Sequence, residues 1–87
     1  IVRLEAENNC TMLYFSDGSR YLDTKTLKVF EDTLPGRFMR VHKSHIINLD
    51  YLREYLSQDG GLAVMHDGYH VPVSRNKLPE FLAAVKK

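Results

Sequence analysis

Pro35-Gly36-Arg37-Phe38-Met39-Arg40-Val41-His42-Lys43-Ser44-His45-Ile46-Ile47-Asn48 carries three basic side chains and no acid. Apolar Phe38, Val41, Ile46 and Ile47 interleave with Arg37, Arg40, His42, Lys43 and His45. Such a segment can be pinned into a core at both ends while its middle presents cationic donors. The residues around 38–41 read as a strand, because large apolar and polar side chains mix there at strand-like spacing. Asn48 and Asp50 read as turn formers. A second basic segment, Val73-Ser74-Arg75-Asn76-Lys77, follows some way down the chain.

Working outward, turn signals are dense. Asp17-Gly18, Asp59-Gly60-Gly61 and Asp67-Gly68 each separate β-type runs, and Asp-Gly supplies the positive φ that tight hairpins need. A first hairpin is expected to pair residues 11–15 with 19–22. A last hairpin should pair residues 62–65 with 69–73. Pro72 lacks an amide hydrogen, so its strand should lie at a sheet edge or end there. A further strand is expected over residues 51–56. Helical spacing occurs twice. Leu27, Phe30 and Leu34 share a face within residues 24–34, with Asp23 or Thr24 as cap and Pro35-Gly36 as stop. Leu78, Phe81, Leu82 and Val85 share another. Ser74 is the candidate N-cap there. Pro79 suits the start of a helix, which makes residues 74–78 a separate turn before it. The fold class expected is mainly β, with small antiparallel sheets of seven or eight short strands and two short helices.

At 87 residues the chain supports one domain with one core, expected to span residues 1–87. It starts abruptly in a strand-like pattern without Met, which suggests a piece of a longer protein. Its 44% hydrophobic content is ordinary for a globular protein, and no apolar run reaches membrane-spanning length. We therefore expect no membrane contact. The lone Cys10 allows neither an internal disulfide nor a cysteine zinc site, which suits a reducing, cytoplasmic setting. A thiol near a candidate binding loop also raises the question of oxidation sensing.

The net charge of +1 hides a segregation. Residues 35–48 and 70–87 each sum to +3, and the rest of the chain to −5. One basic face on a near-neutral body is the pattern of a polyanion-binding module. Catalysis finds no support: there is no phosphate loop, nucleophile elbow or spaced carboxylate pair. Ser44 lies between His42 and His45 without a third group to complete a triad. His42 with His45, and His66 with His70, match no zinc signature, so neither metal nor cofactor is expected. DNA is the expected partner. Lys43 and Arg75 suit guanine edges or phosphates, with Asn9, Thr11 and Asn76 as supplements. Neither helix is basic on its exposed face, so loops on a rigid sheet must carry the contacts. If His42 or His45 meets phosphate as imidazolium, affinity should rise on acidification. The alternative is a protein-interaction module that recruits a partner strand at the edge near Pro72.

These segments resemble the LytTR family of bacterial DNA-binding domains. Its signature F-x-R-V-H-[RK]-S-[YH]-[IL]-[IV]-N stands here as Phe38-Met39-Arg40-Val41-His42-Lys43-Ser44-His45-Ile46-Ile47-Asn48. Its V-S-R stands as Val73-Ser74-Arg75, and its E-A-x-x-N as Glu5-Ala6-Glu7-Asn8-Asn9. The motifs occur in order and cover nearly the whole chain. The resemblance implies DNA reading by three regions: the loop near Asn9 to Thr11, the His42-Lys43-Ser44 turn, and Arg75 with Asn76 and Lys77. It implies base contacts from Lys43 and Arg75. Arg40, His42, Ser44 and Lys77 would bind phosphates or support the loop; Arg40 and His42 alternate in a strand, which leaves a structural role for either as the alternative. Cys10 departs from the aromatic often found there. The resemblance further implies a domain C-terminal to a phosphoacceptor receiver domain or to a membrane segment, with a two-component response regulator the expected whole, binding direct-repeat promoter sites beside a second copy.

Overall fold

In the computed structural model, which describes residues 1–85, eight strands form two antiparallel sheets. The first sheet contains β1 (Arg3–Glu7), β2 (Cys10–Tyr14), β3 (Arg20–Asp23), β4 (Phe38–His42) and β5 (His45–Asn48), in the order β3-β2-β1-β5-β4. The second contains β6 (Leu52–Leu56), β7 (Leu62–Met65) and β8 (His70–Pro72), in that order. Helix α1 (Leu27–Thr33) joins β3 to β4, and α2 (Leu78–Val85) closes the described chain. The fold class is thus mainly β with two short helices, as expected.

The five-stranded sheet is a middle layer. On one side Leu4, Leu13 and Ile46 pack against Leu27 and Phe30 of α1. On the other, Val2, Val41 and Ile47 pack with Ala63, Met65 and Val71 of the second sheet and Phe81 of α2. This explains β5, which the sequence reading left without an assignment. All four of its residues are buried, so His45-Ile46-Ile47-Asn48 lacks the alternation of a half-exposed strand.

Other departures are local. The first helix begins at Leu27, with Thr26 as N-cap and no side-chain bond there. Asp23 and Thr24 are not its cap. Asp23 instead accepts the Lys25 amide at 2.8 Å in a local turn. Residues 75–77 form a separate 3-10 turn before α2, with Ser74 at its N-cap position but no side-chain capping bond. Pro72 does lie in an edge strand, β8, which ends there.

One buried cation ties the two sheets together. Arg3 is 5% exposed. Its guanidinium lies 3.7 Å from the ring centres of both Tyr14 and Tyr69. It also reaches Glu5 and Asp67, each at 3.4 Å. Tyr14 belongs to the first sheet, while Asp67 and Tyr69 lie on the β7–β8 connection and its flank. Aromatic faces and carboxylates together replace the water that this charge loses. We expect Arg3→Ala to lower stability by about 2–4 kcal/mol, through two lost cation–π contacts and broken ion pairs. Urea unfolding measures this, and an unchanged midpoint would contradict the role.

Candidate nucleic-acid interface

The strand register sends three connections to one end of the first sheet. β1 and β2 meet at Asn8-Asn9, where Glu7 pairs with Cys10 and Asn8 adopts a left-handed φ of 59°. Next to it, β4 and β5 meet at Lys43-Ser44, with Glu5 opposite His45 and the Ala6 amide donating to the Ser44 carbonyl at 2.8 Å. β3 ends at the same edge, Asp23 facing Thr11.

The Lys43-Ser44 turn is made without left-handed residues, although two-residue hairpin turns usually need them. Side chains supply the missing support. Arg40 Nε donates to the His42 carbonyl at 3.1 Å, and its Nη2 donates to the Lys43 carbonyl at 2.6 Å. The Ser44 amide donates to His42 Nδ1 at 3.1 Å. A neutral His42 then carries its proton on Nε2. Arg40 also pairs with Glu31 of α1 at 2.8 Å.

A bulge joins this turn to the second basic segment. Arg40 faces Ile46 and His42 faces His45, which leaves Val41 as the extra residue on β4. A bulge turns backbone groups away from the ladder. The Val41 carbonyl accepts the Ser74 amide at 2.8 Å, and Ser74 Oγ lies 3.3 Å from it. Ser74 Oγ also lies 2.9 Å from Asn76 Oδ1, and the Lys77 amide closes the turn on the Ser74 carbonyl at 3.0 Å. Two segments thirty-three residues apart therefore share one rigid junction.

The junction floors an open groove of about 430 Å³ lined by Glu31, Arg40, His42, Lys43, Ser74, Asn76 and Lys77. Five of the expected site residues thus come together: Arg40, His42, Lys43, Asn76 and Lys77. Ser44 adjoins it through His42. Arg75 is exposed on the same 3-10 turn without lining the groove. Among the described residues, neither Lys43 nor Arg75 has an acid within 4.0 Å, so both charges face solvent. Lys77 approaches Glu80 at 4.0 Å.

Some expected residues have other work. Thr11 is fully buried, and its hydroxyl donates to the Lys25 carbonyl at 2.8 Å. It is a support for the loop and has no surface to offer a ligand. Asn9 is exposed on the β1–β2 turn. Arg37 pairs with Asp50 at 2.8 Å, at the far end of the sheet. Ser74 and Glu31 were missed as site residues. Ser74 stood out as a helix cap and as the middle of the Val73-Ser74-Arg75 motif, not as a contact, and nothing in the sequence around Glu31 points across to Arg40.

His45 is buried beside His42, with ring centres 5.3 Å apart. Its Nδ1 has no hydrogen-bond partner among the described residues. Burial, then the nearby His42 and Arg3 charges, push its pKa down to about 4. It is neutral near pH 7, so it is no phosphate-binding imidazolium.

The family model described as LytTr DNA-binding domain matches residues 1–86. A solved LytTr DNA-binding domain from Bacillus cereus superposes with a TM-score of 0.89 at 26% identity, covering 100% of this chain and 82% of that one. The heme-containing CO-sensing transcriptional regulator RcoM 2 of Paraburkholderia xenovorans is 34% identical, over 98% of this chain and 34% of its own length. Transcriptional regulatory protein YpdB of Escherichia coli is 30% identical, over 88% of this chain and 33% of its own length. An uncharacterized response regulatory protein of Vibrio cholerae is 42% identical over 63% of this chain and 23% of its own length. The chain thus spans about a third or less of these curated relatives.

The buried neutral His45 sets a pH dependence. Its pKa is lower folded than unfolded, so the unfolded chain takes up its proton first as pH falls. The stability it contributes is complete above the ordinary histidine pKa of about 6.5 and is lost as pH falls towards about 4. Urea unfolding at pH 7.5 and pH 5 should show the parent weakened by about 1–2 kcal/mol at the lower pH. His45→Gln should flatten that difference, and an equal slope in both proteins would contradict the assignment.

Proposed function

The chain belongs to the LytTr DNA-binding domain family, and from that premise we propose that it reads a specific duplex sequence through loops at one end of its first sheet. The observation that carries this reading is the junction at the Val41 carbonyl. It holds two solvent-facing cations, Lys43 and Arg75, on adjoining turns. Arg75 and Lys43 take guanine edges in the major groove, where N7 and O6 accept hydrogen bonds. His42 Nε2, Ser44, Asn76 and Lys77 take phosphates, which fix the register of the protein on the duplex. Asn9 contacts the flanking backbone from the neighbouring turn. Arg40 belongs to the support, since three protein acceptors already occupy its guanidinium.

The family places this activity among transcriptional regulators rather than enzymes. Within that class, we assign residues 1–87 as one output domain of a longer response regulator, acting in the bacterial cytoplasm in a two-component system. The name of the Vibrio cholerae relative supports this, and the RcoM relatives show by name that similar domains also serve a CO sensor. Two copies on direct-repeat half-sites would supply the affinity that one small groove cannot.

Selection of binders from a random duplex pool, followed by anisotropy over a salt series, tests the reading. Lys43→Ala and Arg75→Ala should each weaken binding to the selected duplex by about 1–3 kcal/mol and leave the fold intact. Lys77→Ala should weaken selected and scrambled duplexes alike and reduce the salt slope by about one. If Lys43→Ala and Arg75→Ala both bind as the parent does, the base-contact assignment is wrong.

A further inference from the structure

We infer that Glu31, an acid on the rim of the basic groove, is a positioning residue for DNA reading. It acts through Arg40 on the Lys43-Ser44 turn. An acid there would ordinarily oppose DNA, because phosphates repel it. Its geometry gives it a different task. Phe30 and Leu27 bury one face of α1 against the first sheet, which fixes where Glu31 stands. From there its Oε1 accepts from Arg40 Nη1 at 2.8 Å. The same guanidinium donates through Nε to the His42 carbonyl and through Nη2 to the Lys43 carbonyl.

A guanidinium is a rigid planar fork, so fixing one arm orients the other two. Glu31 holds the arm opposite the turn. Released from it, Arg40 is free to swing into the groove and bind phosphate. The turn then loses the two bonds that substitute for left-handed backbone. Lys43 would keep its charge but lose its aim. The consequence falls on specificity: base contacts need a fixed direction, whereas phosphate attraction needs only charge.

This rests on the DNA-reading function proposed above. The test compares Glu31→Ala and Glu31→Gln on the selected duplex and on a scrambled duplex of equal length, with Lys43→Ala alongside. Both Glu31 variants remove the same negative charge, but only Gln keeps an oxygen that accepts from Arg40. Expected is a loss of about tenfold in affinity of Glu31→Ala for the selected duplex. Binding of Glu31→Ala to the scrambled duplex should be unchanged or tighter, while Glu31→Gln stays near the parent on the selected duplex. Equal effects of the two variants on the selected duplex, in either direction, would overturn the positioning role and leave only charge. If Lys43→Ala loses selectivity while Glu31→Ala does not, this inference fails and the DNA-reading assignment stands. If neither variant loses selectivity, both fail.

Discussion

The Val41 carbonyl is the constraint on which the binding surface depends. In a regular hairpin it would be spent on the ladder between β4 and β5. The bulge at Val41 directs it to Ser74 instead, which docks the 3-10 turn of residues 75–77 beside the Lys43-Ser44 turn. The junction is rigid because both partners are anchored in the core. Val41 and Val73 are buried in the same cluster, together with Phe81 of α2. A flexible loop would lose conformational entropy on meeting DNA. Here much of that entropy is already lost on folding.

The charges divide by role. Arg3 and Arg40 are held inward by protein partners and act on shape. Lys43 and Arg75 have no acid nearby among the described residues and act outward. A cation already satisfied by carbonyls and carboxylates has little left to give a phosphate, while an unpaired exposed one releases counterions on binding. A net charge of +1 therefore says little about the surface that meets DNA. The histidines divide likewise. His42 lines the groove, with its Nδ1 accepting from the Ser44 amide of the turn, while His45 is a neutral residue of the interior.

Much of this was legible in the sequence. The Asp-Gly turns, the two apolar helical faces and Pro72 at a strand end marked most elements to within a residue or two. The two basic segments marked the surface. What was not legible depended on tertiary neighbours. β5 is buried from both sides, so its pattern resembled a continuation of the basic segment and not a strand of its own. Thr11 stood next to a candidate loop, but the sheet faces it inward onto the Lys25 carbonyl. The Asp23 carboxylate found a nearer amide than the helix start. The link from Glu31 to Arg40 crosses from helix to strand, and no local spacing announces such a pair.

The most direct test of the central claim is amide NMR of the 87-residue chain titrated with a duplex selected from a random pool. The account predicts shifts concentrated at residues 8–9, 42–44 and 74–77, with the two basic segments responding together at one saturation point. Shifts centred instead on the β8 edge, or on the far end of the sheet at Asp17-Gly18, Arg37 and Asp50, would contradict it.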